Sequence, residues 1–367
     1  MILKFISLVN FKSYDNIRID FSSGINCFLG DNGVGKTNLL DAIHYLSFCK
    51  SYYNAVELDN VKYGESFFMI KGSFLNNENI DFEINASFRG KSKQFTFNNK
   101  KYDKLSTHIG KIPLVIITPL DSSIILGGGD DRRRFFDKIL SQLDKDYLNQ
   151  LIIYNRTLQQ RNTLLKDLNP NMDLLSTYDQ ALSDYGNFIA MKRQECISLM
   201  IENIHYYYRY IAGIDESIDV VYKSELIDQD FKSILINNRV KDKMLKFTSS
   251  GVHRDDFVFS IKSNSLKKSG SQGQQKTFLI ALKFAYFSLL KDLLNITPIL
   301  LLDDLFDKLD KYRVKKIIEL LEKNKFGQIY ITDTSFERIH SIISTSSLNC
   351  KYLFFNKSGL YEEKFKT

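Results

Sequence analysis

Gly30-Asp31-Asn32-Gly33-Val34-Gly35-Lys36-Thr37 is a glycine-rich loop closed by a lysine and a hydroxyl. The glycines let backbone N–H groups turn inward around phosphate oxygens, which is the chemistry of a phosphate-binding loop. Lys36 is placed to neutralise the β and γ phosphates of ATP, and Thr37 to offer its hydroxyl to Mg2+. Gly30, Asp31, Asn32, Gly33, Val34, Gly35, Lys36 and Thr37 are therefore all expected at a nucleotide. Far downstream, Pro298-Ile299-Leu300-Leu301-Leu302-Asp303-Asp304 sets an apolar run in front of two carboxylates. In a protein with such a loop, the first carboxylate holds Mg2+ with the loop threonine, and the second orients or deprotonates the attacking water. Thr37 and Asp303 are thus the expected metal residues, and Asp304 and Lys36 the expected catalytic ones. Ser271-Gln272-Gly273-Gln274-Gln275 opens an apolar helical pattern, and a small glycine-containing stretch there suits an anion. Alone it reads as a flexible linker with an N-cap.

The surrounding pattern supplies the elements that would hold these residues. Leu3, Phe5, Ser7 and Val9 recur with period two, as do Ile17, Ile19 and Phe21. Ile25 to Leu29 is a short apolar run that stops at Gly30, and Leu39, Leu40, Ile43 and Leu46 then follow helical spacing. The glycine loop therefore lies between a strand and a helix, as its chemistry requires. Further strands are expected at 67–70, 80–84, 95–97 and 113–118. Gly127-Gly128-Gly129 marks a break, and 130–210 is mostly helical. Strands resume near 255–260, and helix and strand alternate from 274. The expected fold is α/β: a P-loop ATPase head, 1–125 and 246–367, interrupted by a mainly helical arm, 126–245.

Composition narrows the class. Apolar residues make up 44% of the 367, enough for a core without disulfides or metals. The net charge of +7 suits a nucleic acid partner and equally a solvated surface. Four cysteines lack paired spacing, which argues against a zinc site and fits a reducing cytoplasm. Signal-peptide blocks and membrane-length apolar runs are not seen, so no membrane role is expected.

The order of the three motifs is that of ABC-type ATPase heads, and the chain closely resembles the RecF family of bacterial recombination proteins. The resemblance spans essentially the whole chain. It includes Asn10-Phe11-Lys12-Ser13-Tyr14, the glycine loop, Arg132-Arg133-Arg134-Phe135-Phe136-Asp137, Gln160-Arg161-Asn162, Gly251-Val252-His253-Arg254-Asp255-Asp256, Ser271–Lys276 and Leu301–Asp304. It implies a cytoplasmic ATPase with an SMC-like head and a short helical arm. It also implies an ATP-dependent homodimer that binds DNA at gaps and at junctions of single and double strands. With recombination mediator proteins, such dimers help load the recombinase and support replication restart and the SOS response.

By the same resemblance, Ser271, Gly273 and Gln274 cap the partner subunit's nucleotide, and Lys12 and Ser13 approach the α-phosphate. Departures are visible. Asp307-Lys308-Leu309-Asp310 stands where the family commonly has Ser-Glu-Leu-Asp, Val252 replaces a common proline, and Ser51-Tyr52-Tyr53 lacks an expected basic residue. Asp121 falls near the position of a glutamine loop, and Thr332 where relatives place a γ-phosphate sensor.

For DNA, the candidate surface is Arg89, Lys91, Lys93, Lys100 and Lys101, around turns at Gly90 and Asn98-Asn99. A solvated hairpin edge is the competing reading. Arg132 to Arg134 fit either local ion pairs or DNA, and His253 to Asp256 an internal polar network. An ABC-type ATPase subunit serving another protein is the alternative function. A transporter subunit would need the Leu-Ser-Gly-Gly-Gln signature, which is missing, and no nuclease-type metal cluster is visible. Lys36→Ala should abolish ATP binding while sparing the fold, because a phosphate cluster loses its fixed cation. Equilibrium dialysis checks it; unchanged affinity would contradict the loop assignment.

Overall fold

The computed structural model describes residues 1–227, 229–306, 309–323, 326–344, 349–357 and 359–365. Strands β1 (Ile2–Phe11) and β2 (Tyr14–Asp20) form a hairpin; β3 (Ile25–Leu29) runs into the glycine loop and α1 (Lys36–Phe48) leaves it. The strands β4 (Phe67–Leu75), β5 (Asp81–Arg89), β6 (Ser92–Phe97) and β7 (Lys100–Lys101) meander, and β8 (Leu114–Ile117) follows. Helices α2 (Ser122–Leu126), α3 (Gly129–Leu143), α4 (Lys145–Leu164) and α5 (Met172–Ala212) come next. Then come β9 (Ile218–Lys223), α6 (Phe231–Asn237), α7 (Arg239–Leu245), β10 (Asp256–Ile261), β11 (Asn264–Ser265) and α8 (Leu266–Ser269). The chain continues through α9 (Gln272–Leu294), β12 (Ile299–Leu302), α10 (Lys311–Lys323), β13 (Ile329–Asp333), α11 (Phe336–Ile343), β14 (Cys350–Asn356) and β15 (Gly359–Phe365).

Contacts divide the chain into two compact units. The first holds Met1–Asp121, Tyr210–Gly213 and Leu282–Thr367; the second holds Ser122–Arg209 and Ile214–Ala281. The expected return from the arm at 245 therefore differs from the compact unit, which runs on to Ala281. The physical reason is pairing: β10 bonds antiparallel to β9, so residues after 245 complete a sheet begun before it.

The first unit has two sheets. One is antiparallel, in the order β2-β1-β4-β5-β6-β7; the other runs β15-β14-β3-β13-β12-β8, parallel except at its β15 edge. Strands β3, β12 and β13 are buried along their full length, which explains their continuous apolar runs. Helix α1 is buried on nearly every face, and Leu39, Leu40, Ile43 and Leu46 join Leu3, Ile6, Leu8, Phe28 and Phe68 in one core. Gln328 ties the two sheets together: its side-chain amide donates to the carbonyls of Leu3 and Ser22, and its oxygen accepts the Leu3 N–H at 2.7 Å. This buried amide sits beside the register shift between Leu3 and Phe5, where the ladder alone leaves a gap. All four cysteines are free and buried.

The second unit is held by buried arginines. Arg161 donates to Asp179 and Asp242, each at 2.7 Å, and to Thr248 at 2.8 Å. Arg193 grips Asp137 at 2.9 Å and the Val252 carbonyl at 2.7 Å. In the segment His253 to Asp256, three of the four residues form the internal network its sequence suggests, while Arg254 is exposed. His253 contacts the Tyr154 hydroxyl at 2.8 Å, the Tyr222 hydroxyl donates to Asp255, and Asp256 accepts Arg132 at 2.7 Å. Removing one partner of a buried pair strands the other charge, so Arg161→Ala should destabilise the chain by roughly 3–5 kcal/mol. Urea unfolding measures it; a midpoint equal to wild type would show that the acids relax without cost.

Candidate functional site

The parallel sheet of the first unit brings the two chemical motifs together. Strands β3 and β12 flank β13, so the glycine loop after Leu29 and the carboxylates after Leu302 emerge on the same side, where open α/β sheets bind ligands. The loop's shape depends on three glycines with positive φ: Gly30 (144°), Gly33 (82°) and Gly35 (103°). A Cβ on Gly30 would lie 2.2 Å from the Phe355 carbonyl, and one on Gly35 would crowd the Ser13 and Tyr14 hydroxyls. The Tyr14 hydroxyl itself donates to the Gly35 carbonyl at 3.1 Å, which supports the loop from the β1–β2 hairpin.

Lys36 donates to the carbonyls of Gly30 and Asp31, at 2.6 and 2.8 Å, so its ammonium lies within the curl of the loop. Burial lowers its pKa, opposed by the charges of Asp304, Asp303, Asp333 and Asp31. The Thr37 hydroxyl donates to Asp303 Oδ1 at 3.0 Å. Thr332, on β13 between the two motifs, donates to the same oxygen at 2.8 Å and accepts the Asp304 N–H at 2.9 Å. The Tyr53 hydroxyl takes the other oxygen, Oδ2, at 2.6 Å. Asp304 is half-buried, and burial together with the charge of Asp303 raises its pKa. Its backbone has φ of 46°, a left-handed conformation that costs energy for a residue with a Cβ and concentrates at functional sites. A hydroxyl and a carboxylate on one oxygen form the sparse protein ligand set that suits Mg2+, which takes its remaining ligands from phosphate and water. Among the described residues, no cluster of three or more His, Cys, Asp and Glu could hold a metal without a ligand's help.

The other expected residues are placed differently. Lys12 pairs with buried Asp41 at 2.5 Å, and Ser13 accepts the Asn38 side-chain amide at 2.9 Å. Asp121 is buried and accepts Lys283 at 2.6 Å, Tyr52 at 2.5 Å and the Thr118 N–H, so its carboxylate is committed within the fold. Thr332 braces the two aspartates. The turns at Gly90 and Asn98-Asn99 form as expected, with positive φ at all three. Lys93, however, is not a free cation: it pairs with Glu57 and lies over the Tyr45 ring. Arg89, Lys91, Lys100 and Lys101 are exposed. Arg132 and Arg133 are taken by Asp256 and Asp130, while Arg134 is exposed. Asp307 and Lys308 lie outside the described residues. Sequence reasoning missed Tyr53, Lys283 and the bracing role of Thr332. Lys283 had a signal, being a lone cation inside an apolar helical run, whereas Tyr53 had none.

In the second unit, Ser271 and Gln274 form a reciprocal cap at the start of α9. The Ser271 oxygen accepts the Gln274 N–H at 3.2 Å, and the Gln274 side chain accepts the Ser271 N–H at 2.8 Å. Gln274 also donates to Glu216 at 2.8 Å. Ser271 is exposed, and Gly273 adds no side chain beside it.

The model of the RecF/RecN/SMC N-terminal domain family matches residues 2–348. DNA replication and repair protein RecF of Flavobacterium johnsoniae is 45% identical over 97% of this chain and 100% of its own length. Its counterpart in Bacteroides fragilis is 42% identical over 99% and 98%. A solved structure of the recombination mediator protein RecF-ATP in the RecFOR pathway superposes with a TM-score of 0.87 at 28% identity, covering 100% of this chain and 97% of that one. The Smc head domain of Pyrococcus furiosus, at 14% identity and a TM-score of 0.58 over 100% and 96%, shares the fold.

Thr332 offers a test of the site that needs no ligand. Thr332→Val removes a donor to Asp303 and the acceptor of the Asp304 N–H, at an expected cost of about 1–3 kcal/mol. Chemical denaturation of the nucleotide-free protein reads it, and an unchanged midpoint would mean that the aspartates stand without the brace.

Proposed function

The chain belongs to the RecF family, within the RecF/RecN/SMC N-terminal domain group, and from that premise we propose that it is an ATP-gated DNA-binding ATPase of recombinational repair and replication restart. The observation that carries the reading is Thr37 against Asp303 at 3.0 Å, with Lys36 held in the loop beside them. A P-loop lysine, a hydroxyl and a carboxylate converge where β3 and β12 end, and RecF structures of 28% identity are described with ATP and ATPrS. Lys36 exchanges its loop carbonyls for the β and γ phosphates, a stronger charge-assisted partner. Thr37 and Asp303 would hold Mg2+, which supplies charge neutralisation at the phosphates. Asp304, the second carboxylate after β12, orients the attacking water. The side chain is one methylene shorter than the glutamate of faster ABC-type ATPases, so turnover is slow and hydrolysis works as a switch.

Two nucleotides sandwiched between each P-loop and the other subunit's Ser271, Gly273 and Gln274 close the dimer on DNA. Ser271 suits this role because it is exposed at the start of α9, which its oxygen caps. Arg89, Lys91, Lys100 and Lys101 supply phosphate contacts at gaps and junctions; Lys93 is withdrawn from that set by Glu57. Recombination mediators act with the DNA-bound dimer, in the cytoplasm, and hydrolysis releases it. Among the described residues, no helix is long and apolar enough to cross a membrane.

Ser271→Arg separates a gated dimer from a simple ATP binder. Monomer ATP affinity should stay nearly intact, while ATP-dependent dimerisation, hydrolysis and DNA retention fail together, since all three use the closed state. Sedimentation with ATP, beside a nucleotide-binding assay, checks it. Normal dimerisation would contradict the role across the interface. Dimerisation without any DNA retention by the wild type would favour an ABC-type subunit serving a protein partner.

A further inference from the structure

The connection after α1 is built more tightly than a linker requires. Asp41, fully buried, accepts the Ser51 hydroxyl and the Tyr52 N–H, both at 2.6 Å, and pairs with Lys12 at 2.5 Å. The Ser51 oxygen in turn accepts the N–H of Tyr53 at 3.2 Å and of Asn54 at 2.9 Å. Two consecutive phenols then reach two carboxylates. Tyr52 donates to Asp121 after β8, and Tyr53 donates to Asp303 after β12, the neighbouring strand. Their rings meet edge to face at 5.4 Å, and Lys12 lies 5.4 Å from the Tyr53 ring centre. Tyr52 is anchored further, because Asp121 is itself fixed by the buried ammonium of Lys283. The Tyr53 ring is thus held by both Tyr52 and Lys12.

Asp303 divides its oxygens. Oδ1 receives the Thr37 and Thr332 hydroxyls, and Oδ2 receives Tyr53. We propose that Tyr53 is a positioning residue for the divalent cation: its phenol locks Oδ2 and so fixes the orientation of the Asp303 carboxylate beside Thr37, where the metal is expected. This rests on the P-loop reading above. A neutral donor suits the task better than a basic side chain would. A guanidinium on Oδ2 would oppose a divalent cation at the same carboxylate, because two cations would share its field. The phenol fixes the oxygen without adding a competing positive charge. Hydrogen-bonded partners that orient a metal-binding carboxylate commonly govern affinity in this way.

The test uses the full chain with a non-hydrolysable ATP analogue and Mn2+ as the probe, counting free Mn2+ by electron paramagnetic resonance. Tyr53→Phe should weaken Mn2+ affinity by about tenfold. Affinity for the analogue in chelator should stay at the wild-type value, since no phosphate contact is lost. Tyr52→Phe removes an equivalent hydroxyl from a carboxylate that is not a metal residue, and its Mn2+ affinity should stay near wild type. Wild-type Mn2+ affinity in Tyr53→Phe would overturn the inference alone. Equal weakening in both variants would overturn it too, by reducing Tyr53 to general packing. If the wild type binds no Mn2+ with the analogue, the P-loop reading falls and takes the inference with it.

Discussion

One carboxylate connects the elements on which the nucleotide half of the molecule depends. Asp303 accepts three hydroxyls, from Thr37 at the start of α1, Thr332 on β13 and Tyr53 on the connection after α1. A buried carboxylate without hydrogen-bond partners carries a desolvation cost of several kcal/mol, which these donors offset. Each donor comes from a separate stretch of chain. Register in the parallel sheet, burial of α1 and the path of the connection must all be correct for the three to converge. The constraint also runs the other way, since a fixed Asp303 sets where β12 ends and where Asp304 turns into its left-handed conformation.

Much of this was legible in the sequence because it rests on local patterns. The glycine loop, its strand and its helix are contiguous, and the apolar run Ile299 to Leu302 is a strand that only a doubly covered sheet could bury. The ABC-type head followed from the order of motifs, and the RecF resemblance from more specific elements such as Arg132–Asp137 and His253–Asp256. What was not legible depends on side-chain direction across large sequence separations. Tyr53 and Asp303 are 250 residues apart, and no periodicity indicates which carboxylate a phenol will reach. Lys93 shows a different case. Its spacing in a hairpin suggested a cation for DNA, but position on the sheet faces it to Glu57 and Tyr45. From the sequence alone β10 looks like the start of a new sheet, whereas it pairs back to β9.

The second unit solves a different problem. Buried arginines satisfy the acids between its helices. Arg161 and Arg193 account for Asp179, Asp242 and Asp137 and leave Arg134 at the surface. Such pairs add little net stability against apolar packing, but they punish any misplacement of their helices, which favours one arrangement. Ser271 closes this unit's contribution. It caps the first turn of α9 with its oxygen.

The central claim is that nucleotide state decides assembly and DNA retention. Sedimentation velocity of the wild-type chain on a gapped duplex, with Mg2+ and either a slowly hydrolysed ATP analogue or ADP, tests it most directly. The account predicts a DNA-bound dimer with the analogue, and a monomer that leaves the DNA with ADP. A monomer under both conditions, or equal DNA retention with either nucleotide, would contradict it.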